Sequence, residues 1–223
     1  MAFERAMAEG ADGIELDVRT SRDGEVVVLH DVDLARVTAG RDRRAAASLS
    51  ARELGAVALD GGARVPTLDE VLSWAEGRGA LVNVELKHDT VDRRRLARAC
   101  ARLLRAHAAL AGRVLFSSFD PQLLAWAAWH APEVPRALLV HAGQRLAWTS
   151  AASLLARALG CVAVNAQHTM CSPRYVAAIR AAGLRVNAWT VDGAREAVTL
   201  AALEVDALIT DDPGALLGAL GAT

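Results

Sequence analysis

The sequence predicts an α/β protein of the TIM (β/α)8-type barrel class, with the first strand missing and a small insertion after an early hairpin. Three observations carry that reading. Apolar strand-like runs alternate with helix patterns almost to the end of the chain, which implies parallel strands joined by right-handed crossovers. No glycine-rich dinucleotide fingerprint follows an early strand, which disfavours a doubly wound nucleotide-binding sheet. Polar groups instead stand at many separate strand ends: Glu85 and Lys87, Ser117 and Ser118, Asn165 and Gln167, Trp189 and Thr190, Asp211 and Asp212. A barrel builds its site from such scattered ends.

The elements follow in order. Residues 2–10 read as a helix with a glycine stop, no N-cap and no strand ahead of it. Strands are expected at 13–19, 81–86, 113–118, 135–140, 161–166, 184–190 and 206–210. The apolar run at 26–30 follows Ser21-Arg22-Asp23-Gly24, too short a link for a crossover helix, so it returns as a hairpin. Residues 31–66 read as an irregular insertion whose one short helix is opened by a Ser50–Glu53 capping box. A second box, Thr67–Glu70, opens a helix that Gly77 follows. Asp120-Pro121 and Ser172-Pro173 are N-cap and N1 pairs, Gly183 stops the second of these helices, and Asp192-Gly193 turns into another. The whole, residues 1–223, reads as a single domain. A barrel closes with eight strands and seven parallel ones are counted, so the first strand and its loop are expected to be missing. Two unpaired edges would then favour self-association.

The chemistry concentrates in Gly13-Ile14-Glu15-Leu16-Asp17-Val18 and Val26-Val27-Val28-Leu29-His30-Asp31. Strand alternation puts Glu15 and Asp17 on one face. Flanked by apolar residues, two carboxylates are costly to bury unless a cation neutralises them. An exposed polar sheet face is the alternative account of such a pair. A third acid tips the balance: Leu81-Val82-Asn83-Val84-Glu85-Leu86-Lys87 is another apolar strand carrying Glu85 and Lys87 on one face. The set reads as a hard-metal site beside a proton-transfer group, His30.

Composition narrows the class. Hydrophobic residues make up 53% of 223 and the formal net charge is −1, so the chain has no basic excess for nucleic acid or an anionic membrane. Arg93, Arg94, Arg95, Arg98, Arg102 and Arg105 interleave with apolar residues at helical spacing and read as the wet face of a helix. Cys100, Cys161 and Cys171 lack metal-ligand spacing and read as small core residues. With neither a secretory pattern nor a membrane-length apolar run in the sequence, the expectation is a cytoplasmic protein without stable membrane insertion.

The phrases ADGIELDV, DGEVVVLHD, RVPTLDEVL, VNVELK, LFSSFDP, NAWTVD and ITDDPG, in this order and spacing, resemble the glycerophosphodiester phosphodiesterase family from about Phe3 to Pro213. The resemblance implies a barrel hydrolysing glycerophosphodiesters to glycerol 3-phosphate and an alcohol, with a divalent cation, Mg²⁺ or Ca²⁺. It implies Glu15, Asp17 and Glu85 as metal ligands and His30 as the general acid that protonates the leaving alcohol. Lys87 would sit by the phosphate and Trp189 would line the glycerol pocket. The family mechanism has the glycerol 2-hydroxyl attack phosphorus, giving a cyclic phosphate that water opens. The family's opening His-Arg-Gly and Pro-Glu-Asn-Thr phrases do not occur in these 223 residues. They carry the proposed base, a phosphate contact and a metal ligand, so weak or absent turnover is expected. The rival readings are a non-catalytic barrel that binds a phosphorylated ligand or partner, and a related lysophospholipid-cleaving enzyme.

Among the remaining residues, His88 is close enough to its strand end to approach a substrate. His107 and His130 read as helix-end or surface groups, and His141 and His168 as candidates for the mouth of the site. Asp211 and Asp212 read as caps for the helix at Pro213. Ser118 and Phe119 read equally as pocket or structural residues, and Trp126, Trp129 and Trp148 as packing residues.

Overall fold

A computed structural model describes residues 2–144 and 150–221; Trp148 lies outside the described residues. The elements alternate as the α/β barrel class requires: α1 (Ala2–Ala8), β1 (Gly13–Thr20), β2 (Val26–Val28), α2 (Ala51–Gly55), α3 (Leu68–Glu76), β3 (Leu81–Leu86), α4 (Arg93–Ala106), β4 (Val114–Ser118) and α5 (Pro121–His130). There follow β5 (Arg136–Val140), α6 (Ser150–Ala158), β6 (Ala163–Gln167), α7 (Pro173–Ala181), β7 (Arg185–Trp189), α8 (Ala194–Ala202), β8 (Ala207–Leu208) and α9 (Pro213–Leu220). They group into two compact units, one of residues 15–134 and one within 1–14 and 135–223.

In the first unit the strand order is β2-β1-β3-β4. β2 returns antiparallel on β1, with Val18 opposite Val28 and Thr20 opposite Val26. The expected hairpin is present. Its turn needs Gly24, which has φ +87°. The Arg95 guanidinium occupies the space a Cβ would take there and donates to the Asp23 carbonyl at 3.0 Å. β3 and β4 run parallel, Glu85 opposite Ser117. Alternation then divides the side chains: Ile14, Leu16, Val18, Val82, Val84 and Leu86 are buried apolar residues, while Glu15, Asp17, Asn83, Glu85 and Lys87 take the other positions.

The insertion after β2 has a core of its own, in which Leu34, Ala46, Leu49, Leu54 and Val65 pack on Val27 and Leu29. The Ser50–Glu53 and Thr67–Glu70 capping boxes both form, opening α2 and α3. α4 buries Leu96, Ala97, Cys100 and Leu104 and exposes the six arginines, as its spacing predicts. Arg94 lies over the Trp126 ring of α5 at 4.8 Å. Trp129, expected to pack, is 77% exposed; it stands two positions beyond the buried Ala127, so the helix turns it to the opposite side.

In the second unit β5, β6, β7 and β8 pair in sequence, all parallel. Ser172-Pro173 and Asp212-Pro213 open α7 and α9 as N-cap and N1 pairs. β8 is shorter than the expected 206–210, although Ile209 still donates to Ala188 and accepts from Val191, each at 2.8 Å. The three cysteines are free and buried. Among the described residues no helix is long and apolar enough to cross a membrane.

His107 takes the helix-end place expected of it, but buried rather than at the surface. It caps the carboxyl end of α4 and is 8% exposed, because two α3 carboxylates hold its ring: Nε2 lies 3.0 Å from Asp69 and Nδ1 3.2 Å from Glu76. Burial acts to lower its pKa, but Asp69 and Glu76 together outweigh burial and raise it. A histidine with a raised folded pKa stabilises fully below its unfolded value of about 6.5, and that contribution is lost as pH rises through the folded value. In paired urea melts, His107→Gln should therefore cost more stability at about pH 5.5 than at about pH 9; an equal cost at both would show that the ring acts by packing alone.

Candidate functional site

β1 and β3 bring the three predicted acids together. One carboxylate oxygen from each of Glu15, Asp17 and Glu85 lies within 4.8 Å of the others. Lys87 reaches into this group, its Nζ 3.2 Å from Asp17 Oδ1 and 3.0 Å from Glu85 Oε1. Glu85 and Lys87 are each 8% exposed. Burial raises the Glu85 pKa first and the Asp17 charge raises it further, while Lys87 and His30 pull it down. At Lys87 burial opposes the charge, but Asp17 and Glu85 outweigh it and raise the pKa. Three carboxylates against one ammonium leave two formal negative charges in a half-buried cage of oxygens. That donor set fits a hard divalent cation.

His30 follows β2 beside this cage, near enough for its charge to act on Glu85. Its side chain is more than half exposed, and Nδ1 lies 2.6 Å from Asp31 Oδ1. Asp31 is gripped in turn by Arg36, with Nε to Oδ2 at 2.6 Å and the terminal nitrogen to Oδ1 at 3.2 Å. Arg36 is the main reason the Asp31 pKa falls to about 2. A second arginine holds the backbone: buried Arg19 donates to the His30 carbonyl from Nε at 3.0 Å and from a terminal nitrogen at 2.6 Å. It also binds the Asp89 carboxylate at 2.8 Å. A cleft of about 460 Å³ opens here, lined by His30, Asp31, Arg36, Lys87, His88 and Asp89 among others.

Arg19, Asp31, Arg36 and Asp89 were not among the predicted site residues. Arg19, a charged residue directly after the apolar Val18, and Asp31, directly after His30, carried the available signals. His88 does reach the cleft. Ser118 is structural, donating to the Leu86 carbonyl at 2.8 Å and accepting from the Asp120 amide at 3.1 Å. Trp189 belongs to the second unit, where its Nε1 donates to the Asn165 carbonyl at 2.9 Å. In that unit Asp212 caps α9, as expected. The His141 ring accepts from the Gly143 amide at 3.1 Å, and His168 opens a 3₁₀ turn.

Comparison with known proteins finds similarity along nearly the whole chain. The family model described as the glycerophosphoryl diester phosphodiesterase family matches residues 1–215. A glycerophosphodiester phosphodiesterase of Caldanaerobacter subterraneus is 32% identical over 97% of this chain and 88% of that protein. Among solved structures, an Oleispira antarctica phosphodiesterase in complex with the product sn-glycerol-3-phosphate has a TM-score of 0.86 at 27% identity, covering 99% of this chain and 89% of that one. A glycerophosphodiester phosphodiesterase from Parabacteroides distasonis has a TM-score of 0.83 at 26% identity, covering 98% and 87%.

The cage has a stability consequence that needs no substrate. A carboxyl whose folded pKa is raised stabilises below its unfolded value, and that contribution is lost as pH rises through the folded one. Ionised Glu85 therefore weighs against folding at neutral pH. With a chelator present at about pH 7, Glu85→Gln should melt higher than the parent chain, and the gap should shrink towards about pH 4. A lower melting point at neutral pH would mean that Lys87 already compensates Glu85 fully.

Proposed function

Because the chain belongs to the glycerophosphoryl diester phosphodiesterase family, we propose that it hydrolyses glycerophosphodiesters to glycerol 3-phosphate and an alcohol at the cleft beside Glu15, Asp17 and Glu85. The observation that carries this is the convergence of three carboxylate oxygens within 4.8 Å beside a histidine. Those carboxylates would hold a divalent cation, Mg²⁺ or Ca²⁺, whose chemistry is to offset charge on phosphoryl oxygens.

The chain's own residues have separate tasks. Lys87, held between Asp17 and Glu85, keeps the cage from flying apart and presents positive charge to the phosphate. His30 gives a proton to the departing alcohol oxygen, so that an alkoxide need not leave unaided. Arg19 keeps the His30 backbone in place by two hydrogen bonds to its carbonyl. Trp189 is assigned to the glycerol end of the substrate by the family pattern. The family's other histidine, the base in its His-Arg-Gly phrase, has no counterpart in these 223 residues.

Cation binding and turnover test the reading separately. Mg²⁺ or Ca²⁺ should raise the melting temperature of the chain, and Asp17→Asn or Glu15→Gln should abolish the rise. Glycerol 3-phosphate released from glycerophosphocholine should fall by about 10²–10⁴-fold in His30→Ala. No cation-dependent shift in the parent chain would remove the metal assignment; unchanged release in His30→Ala would remove the acid.

A further inference from the structure

The His30 ring is joined to a neighbour, itself held by a second, whose contribution the proposed reaction does not require. Its Nδ1 meets Asp31 at 2.6 Å. Asp31 cannot turn away, since Arg36 binds both its oxygens and its side chain is only a quarter exposed. The aspartate is thus locked by a fork-shaped guanidinium, a geometry that fixes direction as well as charge. The imidazole, by contrast, is more than half exposed. Without a partner, its two nitrogens would exchange roles.

We infer that Asp31, clamped by Arg36, is a positioning residue that holds the proton of His30 on Nδ1 and thereby reserves Nε2 for the substrate. The inference deepens the proposed hydrolysis and rests on His30 being its acid. A ring nitrogen's role is set by the hydrogen bond its partner nitrogen makes. An ionised carboxylate can only accept, and Asp31 stays ionised with a pKa of about 2. Protonated His30 then carries hydrogen on both nitrogens. When the phosphorus–oxygen bond to the alcohol breaks, the Nε2 proton passes to that oxygen. The ring is left neutral with Nδ1–H still bonded to Asp31. Only one of the two protons is deliverable, and it is the one on the nitrogen not engaged by Asp31. Arg36 acts one step further out: it neutralises Asp31 and keeps that carboxylate from swinging towards the cation cage.

Ring-nitrogen NMR tests this without any turnover. In ¹⁵N-labelled chain at a pH where His30 is neutral, Nδ1 should show the protonated shift and Nε2 the unprotonated one. Asp31→Ala should move His30 towards the Nε2–H form or a mixture, while leaving the signals of His107 unchanged as a check on folding. Arg36→Gln should give an intermediate pattern. Identical His30 shifts in the parent chain and Asp31→Ala would overturn the inference.

A kinetic arm separates this from the acid assignment. Glycerophosphocholine needs its leaving oxygen protonated, whereas the p-nitrophenyl ester of glycerol phosphate does not. Asp31→Ala should lose about ten-fold or more on the first and little on the second, following the selectivity of His30→Ala at smaller size. If His30→Ala shows that selectivity and Asp31→Ala does not, the positioning role fails. If His30→Ala slows both substrates equally, the acid assignment fails and takes the inference with it, whatever the tautomer.

Discussion

The interaction on which the site depends is the ammonium of Lys87 lodged between Asp17 and Glu85. Carboxylates this close repel one another, and withdrawing them from water raises the cost. One buried cation makes the arrangement tolerable without cancelling it. Two formal negative charges remain. A hydrophobic strand pair would pack more stably in the same place, so the cage is a local sacrifice of stability made for binding, as buried ion clusters at functional sites commonly are.

Two arginines divide the remaining electrostatics. Arg19 serves Asp89 and the His30 carbonyl; Arg36 serves Asp31. Each is compensated first by its own acid, and Arg36 also feels the charge of Asp17. The outcome is a negative pocket for a cation beside a rim of satisfied hydrogen bonds that orders the histidine. Pairing each positive group with a separate partner is what lets the opposing charges coexist in one cleft.

Much of this was legible in the chain. Glu15 and Asp17 sit two apart in an apolar run, and Glu85 and Lys87 repeat the pattern, so alternation alone put them on common faces. The caps at Ser50, Thr67, Asp120, Ser172 and Asp212 were equally plain, because capping is local chemistry. Part of what escaped depends on distance along the chain. Arg19 contacts Asp89, seventy positions away, and nothing near either residue announces the other. The burial of His107 escaped for the same reason: its partners Asp69 and Glu76 lie on a different helix. Trp129 failed differently, since an aromatic residue at helical spacing says nothing of which side the core occupies.

The insertion's private core bears on how such a site can diverge. Val27 and Leu29 lead directly into His30 and pack with Leu34, Leu49 and Leu54, whereas the acids ride on β1 and β3. The proton donor is thus braced from two sides, by the insertion's aliphatic residues and by β1, whose Arg19 holds the His30 carbonyl and whose Asp17 carbonyl accepts from the Leu29 amide at 2.9 Å. Drift among the insertion's aliphatic residues therefore reaches the imidazole against the restraint of β1, and the alcohol portion of a substrate is the part that would feel what movement remains.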